Sequence, residues 1–185
     1  MRLHPLRVVA TALFALLTLA PRADAQTSIF QALLFGENEV PPTGSQAFGI
    51  SVLVYNLSTN QFEISTGFVG LSAAPIGGHI HRAPPGVNGP IIFNFTSALP
   101  QATFGSSAPT NGTFSAEDET NLFAGNLYVN LHTPQFPAGE IRGQLTFVAG
   151  DLPGTVVPEP ATVALLATGL LAIGIVGVRR RSTLA

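Results

Sequence analysis

The chain has no cysteine, no tryptophan and no lysine. Without cysteine there can be no disulfide, no thiolate metal site and no sulfur nucleophile. Without tryptophan, and with Tyr55 and Tyr128 as the only tyrosines, there is no aromatic platform for stacking sugars or bases. Charge is sparse too: Asp, Glu, Lys and Arg make up 10% of the 185 residues. Six of the eight arginines (Arg2, Arg7, Arg22, Arg179, Arg180 and Arg181) lie near the two ends of the chain. Residues 26–156 keep two cations, Arg82 and Arg142, against eight carboxylates: Glu37, Glu39, Glu63, Glu117, Asp118, Glu119, Glu140 and Asp151. That stretch therefore carries −6, which the formal −2 of the whole chain hides. An acidic, lysine-free surface argues against nucleic acid or anionic lipid as a partner. There is no Gly-rich phosphate loop and no Ser-His-Asp spacing of any specificity. No complete catalytic set is readable, and an enzyme is not the expectation.

What is present begins with the two ends. Arg2 and Arg7 make a short basic start, residues 8–20 are an apolar run, and Ala23-Asp24-Ala25 is an A-x-A site. This is the pattern of a secretory signal peptide, residues 1–25, cut between Ala25 and Gln26. At the other end a linker, 151–160, carries Pro158-Glu159-Pro160. An uncharged stretch, 161–178, follows, and then a basic tail, 179–185, opened by Arg179-Arg180-Arg181. Eighteen helical residues span ~27 Å, close to the thickness of a bilayer's hydrocarbon core. The arginines would hold that end on the cytoplasmic side. The order of Pro-Glu-Pro, apolar helix and arginine cluster resembles the PEP-CTERM sorting signal of Gram-negative bacteria. The resemblance implies the secretion machinery and an exosortase-type membrane protease as partners. It implies transient anchoring in the inner membrane, cleavage near the Pro-Glu-Pro, and delivery to the cell envelope, cell surface or extracellular matrix. A plain single-span anchor is the alternative.

Between the ends, residues 26–150 read as one all-β domain. Residues 30–35, 48–55, 61–69, 78–82, 91–96, 126–133 and 139–147 are short, β-branched or alternating. Turn clusters separate them: Pro41-Pro42-Thr43-Gly44, Ser58-Thr59-Asn60, Ala83-Pro84-Pro85-Gly86, Asn111-Gly112 and Thr133-Pro134. The one helical candidate is 116–124, opened by Ser115 with Asp118 three residues on. The expected architecture is a Greek-key β-sandwich, immunoglobulin-like or superoxide-dismutase-like.

All three histidines of the domain fall in short motifs. His79 and His81 lie in Gly78-His79-Ile80-His81-Arg82, and His132 in Tyr128-Val129-Asn130-Leu131-His132-Thr133. His79 and His81 are i and i+2 on a strand and so share a face. On the later strand Tyr128 and Asn130 share the side of His132, with Leu127, Val129 and Leu131 opposite. If the two strands are neighbours, three imidazoles converge, a donor set suited to copper or zinc. Binding should then weaken as protons compete for the nitrogens near pH ~6.5. Glu140 and Arg142, also i and i+2, suggest an ion pair in which Arg142 binds Glu39 or Glu140 and ties the first strand to the last.

Together with Gly36-Glu37-Asn38-Glu39-Val40-Pro41-Pro42 and Pro137-Ala138-Gly139-Glu140-Ile141-Arg142-Gly143-Gln144-Leu145, these motifs resemble the CHRD domain. That family is named after chordin and is common in bacterial exported proteins. The His-x-His strand is also similar to the copper-site strand of copper/zinc superoxide dismutase. A dismutase needs further histidines, a zinc aspartate and a disulfide. No further histidine is present in this domain and no cysteine, so that activity is not expected. Three readings remain: a surface or exopolysaccharide-associated protein acting by binding or as structure; a copper- or zinc-binding metalloprotein with His79, His81 and His132 as ligands; and, by analogy with chordin, a module that binds a secreted protein.

Overall fold

Alternation builds the first three strands, because successive side chains of a strand leave opposite faces. The computed structural model describes residues 26–154, and the expected signal peptide, Pro-Glu-Pro motif, apolar span and arginine cluster lie outside the described residues. In β1 (Thr27–Phe35) the buried positions are Ser28, Phe30, Ala32 and Leu34. In β3 (Gln61–Val69) they are Phe62, Ile64, Thr66 and Phe68, the face expected from the sequence. Between them β2 (Phe48–Asn56) pairs antiparallel with both along its whole length. The turn joining β2 to β3 is tight, and Asn60 sits at φ 58, a left-handed conformation that asparagine tolerates better than most residues.

The rest of the chain adds β4 (Gly77–Arg82), β5 (Ile91–Asn94), β6 (Gly105–Ser106), β7 (Thr110–Thr113), helix α1 (Ala116–Phe123), β8 (Leu127–His132), β9 (Ile141–Gln144) and β10 (Thr146–Gly150). Among the described residues the fold is all-β apart from this helix and two single-turn 3-10 helices, Gly36–Asn38 and Thr96–Ala98. The strands form one sheet in the order β5-β4-β8-β9-β1-β2-β3-β6, with β7 also on β3 and β10 also on β1. The two halves of the sheet meet at a single pair, Phe35 opposite Arg142. Phe30, Leu34, Leu53 and Ile64 of one half share a core with Ile80, Val129, Leu131 and Ile141 of the other. The sheet therefore folds on itself like a sandwich. Helix α1 adds Leu122 to this core, and Phe123 meets Phe30 edge-on with ring centroids 5.1 Å apart.

Two expectations need correction. The single closing strand over 139–147 is two strands. Leu145 is fully buried, and its N–H bonds to Leu127 O at 2.8 Å. That contact ends β9 against β8 and sends the chain on to β1. Asn111-Gly112 is not a turn but part of β7, paired with Phe62 and Glu63 of β3. A Cβ on Gly112 would lie 2.3 Å from Cζ of Phe62, so the glycine serves the packing of that ring.

The helix starts where Ser115 and Asp118 suggest. Ser115 Oγ accepts from Asp118 N at 3.1 Å, and Asp118 Oδ2 accepts from Ser115 N at 3.3 Å. Two of the helix's unpaired first-turn N–H groups are handled this way. Ser115→Ala should cost about 1 kcal/mol, seen as a lower denaturant midpoint with an unchanged slope. A change below ~0.3 kcal/mol would show that tertiary packing alone holds this helix. Among the described residues no helix is long and apolar enough to cross a membrane.

Candidate functional site

Strand register decides what β4 and β8 present. Gly77 lies opposite His132, His79 opposite Asn130 and His81 opposite Tyr128. Residues directly opposite each other share a face. His79, His81, Tyr128, Asn130 and His132 thus leave the sheet together, away from Ile80, Leu127, Val129 and Leu131 in the core. β9 adds Arg142 opposite Asn130 and Gln144 opposite Tyr128. One face of this half-sheet is apolar and the other is lined with polar groups.

The polar face is nevertheless buried, and β8 is buried at all 6 positions. Loops from three parts of the chain cover it and bond to it. Arg142 donates to Val87 O at 2.8 Å and to Asn88 Oδ1 at 3.1 Å. Gln144 donates to Ala83 O and to Gly125 O. Asn38 donates to Arg142 O, and Asn88 to Val40 O. The Arg142 guanidinium also lies 3.5 Å from the centre of the Tyr128 ring, and Tyr128 stacks on His81 at 4.8 Å and 6°. Arg142, Tyr128 and His81 form one column.

His79, His81 and His132 come together, with one ring nitrogen of each within 4.8 Å of the others. His81 Nδ1 lies 3.0 Å from Gly89 O, and His132 Nδ1 lies 3.1 Å from Pro137 O. A carbonyl only accepts, so both Nδ1 atoms carry the hydrogen and both Nε2 atoms carry a lone pair. His132 Nε2 is 3.0 Å from His79 Nδ1, the donor in that contact. His81 Nε2 is buried and has no partner. The Gly89 peptide is itself fixed, because its N–H donates to Tyr128 Oη at 3.1 Å. Only glycine fits there: a Cβ would lie 2.0 Å from Arg82 O.

Burial, reinforced by His132 and His81, pushes His79 down to about 4. His81 and His132 are also lowered, first by burial; the carbonyls of Gly89 and Pro137 oppose this only in part. All three imidazoles are therefore neutral at pH 7 and available as ligands. A carbonyl fixing Nδ1–H while Nε2 points inward is how proteins orient histidine for a metal.

The carboxylates depart from expectation. Glu140 is fully buried and accepts from Ser45 Oγ at 2.8 Å, Ser72 N at 2.9 Å, Ser72 Oγ at 2.6 Å and Thr133 Oγ1 at 2.6 Å. It needs no arginine. Burial alone would raise its pKa, but these donors together hold it below the ordinary value. Arg142 attracts Glu39 electrostatically, yet its N–H groups go to loop oxygens. Among the described residues both ion pairs are made by Arg82, with Glu117 at 2.7 Å and Asp118 at 3.1 Å. The tie expected between Arg142 and Glu39 or Glu140 is replaced by hydroxyl donors on one side and loop carbonyls on the other.

The CHRD domain family model matches residues 30–145. The chain belongs to the CHRD domain family. The match spans the whole polar face of the CHRD domain, from Glu39 to Gln144. Beyond it, a PEP-CTERM protein-sorting motif matches residues 156–181, which points to processing by an exosortase-type system and to an exported cell-envelope or surface protein. No curated protein and no solved structure matches the chain.

Proposed function

We propose that this is a surface-displayed CHRD protein whose domain binds one Cu(II) or Zn(II) through His79, His81 and His132. The observation that carries the reading is the set of fixed tautomers. Two Nε2 lone pairs are oriented by backbone carbonyls, and one of them has no partner. The 3.0 Å between His79 Nδ1 and His132 Nε2 suits two ligands ~2.0–2.1 Å from a common ion. A metal would take the place of the hydrogen between those nitrogens, and the His79 proton would move to its other nitrogen. Three neutral imidazoles favour Cu(II) and Zn(II) over hard, oxygen-seeking cations.

The matched sorting motif supports export and exosortase-type processing. Our reading adds a signal peptide over 1–25, a transient inner-membrane span over 161–178, a Gram-negative source, and display at the surface or in the exopolysaccharide layer. It treats the folded sheet as a Greek-key sandwich of the superoxide-dismutase or immunoglobulin type.

Calorimetric titration of the purified full chain with Cu(II) and with Zn(II) tests the metal. One ion per chain is expected, and His79→Ala, His81→Ala and His132→Ala should each weaken binding at least ~100-fold. Because burial lowers all three imidazoles and pushes His79 from 6.5 to about 4, affinity should survive below the range of free imidazole and be lost as the pH falls through about 4. That window is lower than the sequence suggests. A stoichiometry near zero, or binding untouched by all three substitutions, would leave the histidines as packing and the protein as a surface module without a metal.

A further inference from the structure

The sheet has two outer faces, and the apolar one is the bare one. The polar face, on β4, β8 and β9, lies buried under loops. The other, on β1, β2 and β3, meets solvent directly. β1 turns Ile29, Leu33 and Phe35 outward, and β2 turns out Phe48, Val52 and Val54. Val69 of β3 completes the set, and all seven side chains are between 36% and 55% exposed. Register joins them into one surface: Ile29 lies opposite Val54, Phe35 opposite Phe48, and Phe48 opposite Val69. The Phe35 and Phe48 rings have centroids 5.3 Å apart. Ile50, opposite Leu33, fills the middle.

An antiparallel sheet with one wet side normally keeps polar residues there. β2 does the reverse. It sends Phe48, Ile50, Val52 and Val54 outward, and places small Gly49 and Ser51 inward beside Leu53 and Tyr55. A near-continuous apolar run is the mark of a strand covered on both faces. Gly67 is a second sign. It stands on this face opposite Ile50, and a Cβ there would meet only Ile50 Cγ2 at 3.8 Å and Gly105 O at 3.9 Å. The fold has room for a side chain at this position and carries none. Glycine inside a strand often marks the close approach of a ligand or another backbone.

We propose that this face pairs with the same face of a second copy of the chain, the two β1-β2-β3 sheets packing against each other as an isologous dimer. Size supports a second copy. Seven side chains at these exposures present roughly 500 Å² of apolar surface, above the ~400 Å² that a soluble monomer usually leaves bare. With Gln31, Ile50, Ser65 and Glu63 around them, the face approaches the ~800 Å² per partner of a standard interface. Charge points the same way. Glu63 is the one ionisable residue on this face of the three strands, and it sits near one corner, opposite Val54. Glu117, Asp118 and Glu119 lie on helix α1, so two acidic domains can meet without burying them. A lipid surface fits poorly. Apolar faces seated in membranes are rimmed with lysine or arginine; the chain has no lysine, and Arg82 and Arg142 are engaged elsewhere. The three histidines lie on the other outer face, so the pairing does not depend on the metal reading.

The test is sedimentation of the purified full chain. The detergent is held constant, so that any association through 161–178 is common to every variant. The unmutated protein should run at twice the mass of one chain. Val52→Glu puts a carboxylate in the middle of the face of each copy and should weaken the dimer at least ~100-fold. Gly67→Gln, standing in the space between the sheets, should weaken it at least ~10-fold. Ile91→Glu should change nothing, although Ile91 is 52% exposed, because β5 is the far edge of the sheet. In a one-to-one mixture of labelled and unlabelled unmutated chains, isotope-filtered nuclear Overhauser contacts should run from the methyls of Leu33, Val52 and Val54 to the other copy. That reading needs no variant to fold. A mass of one chain for the unmutated protein, a dimer that survives both Val52→Glu and Gly67→Gln, or no contacts between copies would overturn the inference and leave the face to a lipid surface or a different protein.

Discussion

Replacing Glu140 by alanine should cost the domain about 3–5 kcal/mol. Four donors from Ser45, Ser72 and Thr133 converge on this carboxylate. Thr43 Oγ1 donates to its backbone carbonyl at 2.9 Å. Hydrogen bonds to a charged acceptor are the stronger kind, and alanine would leave the Ser72 N–H without its acceptor. Glu140→Gln, which keeps the shape, should cost less, about 1–2 kcal/mol. The pH dependence has a defined sign. The folded carboxyl titrates below its ordinary 4.5, so its contribution is complete above 4.5 and is lost as the pH falls through the lower, folded value. The gap in stability between wild type and Glu140→Ala should therefore shrink in acid. A loss under ~1 kcal/mol at pH 7 would mean that the hydroxyls re-pair at little cost.

Glu140 matters beyond its own bonds because of where its donors sit. Ser45 belongs to the segment before β2, Ser72 follows β3, and Thr133 follows β8. One side chain gathers three loops at the end of the sandwich where Pro137 O holds His132. Loosening that knot should also blur the histidine cluster. A Glu140→Ala protein that remains folded should bind Cu(II) or Zn(II) less tightly if the three imidazoles are ligands.

Much of this arrangement was legible in the chain. Parity along 61–69 puts Phe62, Ile64, Thr66 and Phe68 inside. Parity along 126–133 puts Tyr128 and Asn130 on the side of His132. Period-2 alternation is local, so it survives reading one residue at a time. Pairing is not local. That β4 lies beside β8, with the later histidine opposite Gly77, depends on contacts some fifty residues apart, which no local pattern carries.

The burial of the polar face was not legible. A strand of alternating apolar and polar residues ordinarily has one wet side, yet Asn130 and Tyr128 are each 2% exposed. The cover comes from backbone carbonyls of Ala83, Val87, Gly89 and Pro137. Every residue has a carbonyl, so composition carries no trace of which ones will be used. For the same reason, the spacing of Glu140 and Arg142 suggested carboxylate partners, where Arg142 donates to loop oxygens of Val87 and Asn88.

Glu39→Gln should make the protein more stable at pH 8, by up to about 3 kcal/mol. Burial raises the Glu39 carboxyl from 4.5 to about 7, against the opposing pull of Arg142 and the Asn130 hydrogen bond. A carboxyl whose folded value is raised keeps its full stability below 4.5 and loses it as the pH rises through about 7. The cost above that point is a buried anion with one unpaired oxygen. Glutamine carries no charge, and its amide can donate to the open Asn130 Oδ1. The two proteins should thus be nearly equal at pH 4.5 and diverge up to pH 8. The histidines titrate in both and drop out of the difference. Denaturant unfolding across that range gives the measurement. If Glu39→Gln is instead the less stable protein at pH 8, the carboxylate is held by Arg142 after all, and the ion pair suggested by the sequence returns in place of the open acceptor.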